Sequence, residues 1–227
     1  MPAFDAYSES AANTDPADYT HTPVGTPRGV VILEIQTNTA NEVSGVAYGA
    51  LGLTEVSGSP VTEATEGIQV RGWFAGSGIP TGAQTVSFTI TGTTGTKLFY
   101  VITLTGSGDL ELVDVKTLAS AAVVDPTVTL ALSSRTSWCG LAGMSGHGAV
   151  GSVTPFTGWT TRDETTTGTE LGLCYTQDTP GATDVSAGWT QISEDAALIA
   201  LAVSEVVAAA GFGQLLSHDR NHLVVGM

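Results

Sequence analysis

Short apolar runs recur about every eight to twelve residues along most of the chain, separated by clusters of Gly, Pro, Ser, Thr and Asp. This spacing is typical of β-sandwiches. Residues 28–37 form a nearly continuous apolar run, which predicts a central strand buried on both faces. Residues 84–91 alternate strictly, which predicts a strand with Val86, Phe88 and Ile90 on one face. Further strands are predicted over residues 43–48, 51–56, 67–75, 97–105 and 110–118.

The second half of the chain continues the pattern. Residues 126–132 alternate, and residues 137–144 carry the small side chains of a closely packed inner strand. Residues 159–164 and 170–176 predict a hairpin around a Thr- and Gly-rich loop. The apolar run over residues 196–207 fits a buried strand or a helix; the absence of a polar face favours the strand.

These elements predict an all-β fold, an antiparallel two-sheet β-sandwich, with no long amphipathic helix. We expect one domain over residues 1–210, followed by a C-terminal arm over residues 211–227. The arm carries five large aliphatic residues that are candidates for an interface with a neighbouring subunit. They are Leu215, Leu216, Leu223, Val224 and Val225. The alternative is an arm that folds back on its own domain.

The charge of the chain limits its partners. The formal net charge is −15, from 22 acidic and 7 basic residues, and this field repels phosphate backbones. We therefore expect no binding to nucleic acid. Charged residues make up only 13% of the chain, so the exposed sheet faces are predicted to be rich in hydroxyl groups and suited to contacts with protein or sugar. Because few lysines guard the strand edges, we expect a homo-oligomer.

The sequence shows no export signal at its start and no apolar run of the roughly 20 residues that a membrane span requires. We expect no membrane partner, and synthesis in a cytoplasm. Cys139 and Cys174 lie on different predicted strands. In that setting they are predicted to be buried thiols, although a disulfide between them stays open.

No catalytic motif has the spacing that its chemistry requires, so we expect a protein that is not an enzyme. Ser217, His218 and Asp219 are consecutive, whereas a hydrolase triad is drawn from separated segments. Residues 143–147 miss the spacing of a nucleophile elbow. Residues 92–97 lack the spacing of a phosphate-binding loop and are predicted to form a turn.

Metal sites and cofactors are not predicted either. The histidines are His21, His147, His218 and His222, and the last two lack the Glu of a zinc-binding helix motif. The acidic pairs are Asp163 with Glu164, Glu111 with Asp114, and Glu194 with Asp195. They are predicted to lie in solvated turns. A calcium site using Asp178, Asp184 and Glu194–Asp195 is the alternative, but no EF-hand loop is present.

Four tryptophans provide the large aromatic anchors. Trp138 lies in an apolar run and is predicted to be in the core. Trp159 and Trp189 follow loops at strand edges, where an exposed indole stacks well on a sugar ring. The alternative for both is a plug at the end of the sandwich core.

Three segments of the chain carry a family resemblance. They are residues 44–54 (SGVAYGALGLT), 73–88 (WFAGSGIPTGAQTVSF) and 97–104 (KLFYVITL). Their order resembles a jelly-roll-like sandwich domain of virion proteins of tailed bacteriophages and of some bacterial surface proteins. Ala50 stands where a second glycine is usual. The resemblance spans about residues 25 to 207 and rests on turn and core positions, so it implies the fold more strongly than the role.

The resemblance implies an assembly or surface-display module. We expect a non-enzymatic structural component of a phage particle, exposed on the head or tail as a decoration or minor tail protein, whose partners are other virion structural proteins. Its location would be the virion. The alternative is a carbohydrate-binding adhesion module that uses Trp159 or Trp189. No cofactor is expected for either.

Overall fold

The structure is a computed structural model that describes residues 1–132, 138–147, 154–167, 170–177 and 184–206. Within these ranges every element of regular secondary structure is a β-strand. In chain order they are β1 (Ala3–Glu9), β2 (Tyr19–His21), β3 (Gly29–Gln36), β4 (Val43–Tyr48), β5 (Leu51–Gly52), β6 (Thr54–Glu55), β7 (Val61–Glu63), β8 (Ile68–Ala75), β9 (Gln84–Ile90), β10 (Lys97–Thr105), β11 (Leu110–Val123), β12 (Thr127–Leu130), β13 (Cys139–His147), β14 (Thr154–Pro155), β15 (Thr160–Thr167), β16 (Glu170–Gln177), β17 (Val185–Thr190) and β18 (Glu194–Glu205).

The strands form four antiparallel sheets, two from each half of the chain. The N-terminal inner sheet has the order β1-β10-β3-β8-β6, with β7 also paired to β8. The N-terminal outer sheet has the order β2-β9-β4-β5. The C-terminal inner sheet has the order β11-β18-β13-β16-β15, and the C-terminal outer sheet has the order β12-β17-β14.

Three clusters of buried apolar side chains join these sheets into four layers. One cluster lies between the two inner sheets and includes Leu33 and Ile199. A second joins the N-terminal inner and outer sheets through residues such as Ile32 and Val46. A third joins the C-terminal inner and outer sheets through residues such as Leu198. The prediction of an antiparallel all-β sandwich is confirmed, and the number of sheets is corrected from two to four.

The inner strands are apolar on both faces because each inner sheet is covered on both sides. All eight residues of β3 are buried. Leu33 and its alternate neighbours face the other inner sheet, whereas Val30 and Ile32 face the N-terminal outer sheet. The predicted central strand over residues 28–37 is therefore confirmed. β10 is also central, and eight of its nine residues are buried, which explains why its alternation is weak in the sequence.

The apolar run at residues 196–207 is a strand through residue 205, as predicted. Along β18, Ala197, Ile199 and Leu201 face the other inner sheet, and their even-numbered neighbours face the C-terminal outer sheet. A strand buried on both faces needs no polar side chain, so its sequence shows no period of two.

The two inner sheets approach closely where a glycine faces a large side chain. A Cβ atom on Gly143 of β13 would lie 2.9 Å from Leu33 Cδ1, and one on Gly72 of β8 would lie 3.3 Å from Ile199 Cδ1. The small residues predicted for an inner strand at residues 137–144 thus leave room for side chains of the facing sheet.

The two cysteines are held apart. Cys139 is buried, as predicted. The β13–β16 register places Cys174 opposite Gly143, four residues from Cys139. That offset is about 13 Å along the strand, well beyond the separation that a disulfide spans.

Several elements were not predicted. β1 and β2 lie in an N-terminal stretch with few aliphatic residues, and β17 follows a loop. The predicted strand at residues 51–56 is divided into β5 and β6, which join different sheets. The predicted hairpin is confirmed as β15 and β16. In the described parts of the chain, no helix is long and apolar enough to span a membrane. The arm over residues 211–227 lies outside the described residues.

Candidate functional site

Two edge strands, one from each half of the chain, lie side by side. Among the described strands, β1 pairs only with β10, and β15 pairs only with β16. The Arg162 guanidinium lies 3.6 Å from the centre of the Phe4 ring, and Thr165 Oγ1 is 3.2 Å from Glu9 Oε2. These contacts bring the outer edges of both inner sheets to one side of the molecule. We call the surface formed by β1 and β15 the double edge.

The double edge offers backbone groups to a partner. An edge strand presents N–H and C=O groups that a further strand can pair with. β1 and β15 have seven and eight residues. Tyr7 of β1 is 41% exposed, and Thr160 and Thr161 of β15 are exposed. This surface can therefore combine main-chain hydrogen bonds, an aromatic side chain and hydroxyl groups.

A pair of carboxyl groups lies on the double edge. Thr165 Oγ1 is 3.0 Å from Asp163 Oδ2 and also contacts Glu9. A hydrogen bond with Asp163 raises the pKa of Glu9 to about 7, and burial and the Asp163 charge add to this rise, whereas the Thr165 hydrogen bond opposes it. Two carboxyl groups that share a hydrogen bond must hold a proton between them. The double edge therefore gains negative charge as the pH rises through neutrality.

The double edge also carries features that limit pairing. The register shifts between Phe4 and Ala6 in β1 and between Thr161 and Asp163 in β15. Bulges and charged side chains protect natural edge strands from indiscriminate pairing. Both bulges lie near the N-terminal ends of their strands, so a partner strand would find regular backbone toward Glu9 and Thr165.

A buried charged cluster lies between the N-terminal inner and outer sheets. Glu34 of β3 is opposite Arg71 of β8, and both side chains are almost completely buried. Arg71 donates hydrogen bonds to both Glu55 oxygens at 2.9 Å. Lys97 is fully buried, and its Nζ lies 2.6 Å from Glu42 Oε2. The sequence does not predict this cluster, although a single Glu within an eight-residue apolar strand is a signal for it.

A second buried polar chain links β1, β2 and β10. His21 is 1% exposed. Its Nδ1 is 2.8 Å from Ser8 Oγ, and its Nε2 is 3.1 Å from Thr103 Oγ1. Thr103 donates its hydroxyl proton to Asp5 Oδ2, so its oxygen accepts from the Nε2–H of His21. The Nδ1 atom is then the acceptor for the Ser8 hydroxyl. Burial lowers the pKa of His21 to about 4, although the Asp5 charge opposes this.

The tryptophans proposed for sugar stacking are buried. Trp189 is 0% exposed and Trp159 is 7% exposed. Trp159 Nε1 donates to the Ser186 carbonyl, and Trp189 Nε1 donates to Gln191 Oε1. Both belong to the core of the C-terminal sheets, which is the plug alternative, and the stacking prediction is corrected. Trp138 is buried in the same core, as predicted.

The acidic residues considered for calcium serve other purposes. Asp195 Oδ1 accepts from the Ala122 amide, and Asp184 Oδ1 accepts from the Leu132 amide. Both hydrogen bonds hold a segment of backbone next to the carboxylate in place. Asp178 lies outside the described residues. Among the described residues, no group of three or more His, Cys, Asp and Glu side chains is arranged to hold a metal.

The remaining candidates are dispersed. His147 Nδ1 lies 3.3 Å from Glu66 Oε2. Asp114 of β11 accepts from the Ala131 amide and lies 3.1 Å from Lys116 Nζ. The turn at residues 92–97 buries its lysine instead of presenting it to a phosphate. Several candidates lie outside the described residues. They are the three consecutive residues considered as a hydrolase triad (Ser217, His218 and Asp219), His222 and the five aliphatic interface candidates.

A shallow depression near β5 adds no chemical group. It has a volume of about 340 Å³ and is lined by Ala50, Leu51, Gly78, Pro80 and Gln84. Its lining has no titratable side chain, so it gives no support to a catalytic role.

In comparisons with family models, with curated proteins and with solved structures, nothing matches the chain.

Proposed function

We propose that the protein is a structural assembly module that acts by pairing edge strands, without turnover of a substrate. The observation that carries the proposal is the double edge, where β1 and β15 each have a strand on one side only among the described strands. Because they contact each other through Arg162 and Phe4, a partner that adds a strand to one edge also meets the other.

A second copy of the chain is the partner that this surface suits best. An isologous contact places β1 of one copy against β1 of the other in antiparallel order, and β15 against β15. Tyr7 of each copy would then lie within the contact. The low share of charged residues, 13% of the chain, supports such contacts because few long charged side chains must be desolvated.

The setting that we propose is the particle of a tailed bacteriophage, with the protein exposed on the head or tail as a decoration or minor tail component. This part rests on the resemblance of residues 44–54, 73–88 and 97–104 to jelly-roll-like virion domains. The four-layer all-β architecture is compatible with such a role, since it presents the strand edges of β1 and β15. Mass spectrometry of purified particles made from the encoding genome tests this setting: the chain must be present in stoichiometric amounts.

Light scattering after size-exclusion chromatography tests assembly through the double edge. The wild-type chain should form a dimer or larger oligomer, and Tyr7→Lys should shift it toward the monomer by placing charges of like sign in the contact. The matched control is Val124→Lys, because Val124 is 58% exposed and follows β11 at the opposite edge of the C-terminal inner sheet. A monomeric wild-type chain at high concentration, or equal effects of both substitutions, rules out the double edge as the contact.

A further inference from the structure

Lys97 and Glu42 form a buried pair at one end of the N-terminal sheets. Lys97 Nζ is 2.6 Å from Glu42 Oε2. The lysine is 0% exposed and the glutamate is 7% exposed. We propose that the folded chain joins these two side chains by an amide bond between Lys97 Nζ and Glu42 Cδ. This modification is independent of the proposed assembly function.

Backbone groups hold the amine in place. Lys97 Nζ lies within hydrogen-bond distance of the carbonyl oxygens of Thr14, Thr94, Gly92 and Gly95, at 3.0 to 3.4 Å, and its three N–H groups are shared among these acceptors and Glu42. The carboxyl group is equally confined, since a Cβ atom on Gly92 would lie 2.6 Å from Glu42 Cδ. A side chain at position 92 would push this carboxyl group away, whereas glycine leaves room for it beside the lysine. The packing around both side chains therefore places the amine and the carboxyl group in contact.

Two donors lie where negative charge develops during amide formation. The Thr94 amide donates to Glu42 Oε1 at 3.1 Å, and the Thr94 hydroxyl donates to the same oxygen. Asn38 Nδ2 donates to Thr94 Oγ1 at 2.6 Å, which polarises that hydroxyl. One carboxyl oxygen thus faces an oxyanion-type pair of donors, while the other faces the amine.

The reaction balances without any added reagent. The Lys97 ammonium passes one proton to Glu42 Oε2, which leaves a neutral amine beside a carboxylic acid. The Nζ lone pair then attacks Cδ, and the Oε1 atom takes up negative charge against the Thr94 donors. A second proton moves from Nζ to the Oε2 hydroxyl, the Cδ–Oε2 bond breaks, and water leaves. The net change is an ammonium and a carboxylate converted into an amide and one water molecule.

Confinement accelerates this condensation. Well-oriented intramolecular partners reach effective molarities of about 10⁵–10⁸ M, whereas the same groups free in water stay apart. Burial of Lys97 also limits the access of water for the reverse reaction. The bond would tie the start of β10 to the residue before β4, and so would link the N-terminal inner and outer sheets covalently.

Tryptic mapping of the full-length folded protein decides the question. Without the bond, cleavage after Arg71, Lys97 and Lys116 yields separate peptides 29–71, 72–97 and 98–116. With the bond, Lys97 resists trypsin, and peptide 29–71 is recovered joined to peptide 72–116 with a mass lower by one water than their sum. Lys97→Arg keeps the charge and the cleavage site and should give only separate peptides. Recovery of only separate peptides from the wild-type chain overturns the proposal.

The role of Thr94 is tested by the rate of bond formation after refolding from denaturant. Thr94→Val removes the hydroxyl donor to Glu42, and we expect the linked peptide to form about 10²-fold more slowly. Thr93→Val is the matched control, because Thr93 is the neighbouring residue in the same turn and is exposed like Thr94. Equal rates for both variants contradict the oxyanion role of Thr94. The existence of the amide bond is tested separately, by the tryptic map of the wild-type chain.

Discussion

Glu34 and Arg71 lie directly opposite each other on β3 and β8, yet the guanidinium gives its hydrogen bonds to other groups. Arg71 Nε is 3.9 Å from Glu34 Oε2 and donates to Glu55 Oε1 at 3.1 Å. Among the described residues, neither Glu34 oxygen has a hydrogen-bond partner. Burial therefore dominates and raises the pKa of Glu34 to about 7, although the Arg71 charge opposes this rise.

The first prediction is that Glu34→Gln makes the protein less sensitive to rising pH. In the unfolded chain the Glu34 pKa is near its ordinary 4.5, and in the folded chain it is about 7. The folded state binds this proton more tightly, so the stabilising contribution is complete below pH 4.5 and is lost as the pH rises through 7. A shift of this size corresponds to a loss on the order of 3 kcal/mol.

Urea unfolding at pH 5 and pH 8 measures this effect. The wild-type free energy of unfolding should fall between the two pH values by more than that of Glu34→Gln. Glu164→Gln provides the control because Glu164 is exposed on β15, and its pH dependence should match the wild type. If Glu34→Gln shows the same pH dependence as the wild type, the Glu34 carboxylate is stabilised in the folded state in a way that the contacts do not reveal.

The sequence predicts the strands well where one face is apolar or where the run is continuous. β3, β4, β9 and β10 lie within one or two residues of their predicted bounds. It does not predict the number of layers, because a strand buried on both faces, such as β18, has the same composition whichever sheets cover it. Nor does it predict which strands pair, because paired strands such as β1 and β10 are distant in the chain. Packing fixes their pairing.

The charged cluster and the double edge were missed for related reasons. Glu34 and Lys97 are buried beside partners that are distant in the sequence, Arg71 and Glu42, whereas isolated charged residues in a sequence are most often exposed. Glu9 and Asp163 are brought together by the contact between the two halves of the chain. No local pattern marks that contact. The tryptophans show the opposite case, in which residues predicted to be exposed are buried. Trp159 and Trp189 follow loops and are nevertheless core residues.

The second prediction is that His21 stays neutral well below the ordinary pKa of histidine. Its folded pKa is about 4 against 6.5 in the unfolded chain, so its contribution to stability is present above pH 6.5 and is lost as the pH falls through 4. Nitrogen-detected NMR should show protonated Nε2 and accepting Nδ1 from pH 7 to pH 5. An imidazolium signal for His21 at pH 6 would contradict the chain of hydrogen bonds from Ser8 to Asp5.

The third prediction concerns the contact between the inner sheets. Gly143→Ala places a Cβ atom 2.9 Å from Leu33 Cδ1, and overpacking of this kind costs about 1–3 kcal/mol. Leu33→Val should recover part of the loss, so that the double variant is more stable than the sum of the single changes predicts. Gly52→Ala is the control, since a Cβ atom there meets no atom within 4 Å. Strict additivity in thermal or urea unfolding would show that the two residues do not meet.

The last prediction is that the carboxyl pair of Glu9 and Asp163 makes self-association through the double edge depend on pH. Hydrogen bonding with Asp163, burial and the Asp163 charge raise the pKa of Glu9 to about 7. Glu9 should therefore be protonated below pH 7 and add a negative charge to the double edge above it. Because an isologous contact brings the double edges of two copies together, charge on one copy repels charge on the other. Self-association should consequently be stronger at pH 6 than at pH 8.

Asp163→Asn removes one carboxylate and keeps a hydrogen-bonding side chain. In this variant Glu9 should titrate nearer its ordinary range, and sedimentation should show oligomers at pH 8 in a proportion close to that of the wild type at pH 6. Asp109→Asn is a suitable comparison, because Asp109 lies just before β11 at the opposite edge of the C-terminal inner sheet, and it should leave the pH dependence unchanged. If both variants behave alike, the pH dependence comes from net charge as a whole, and the carboxyl pair does not control the contact.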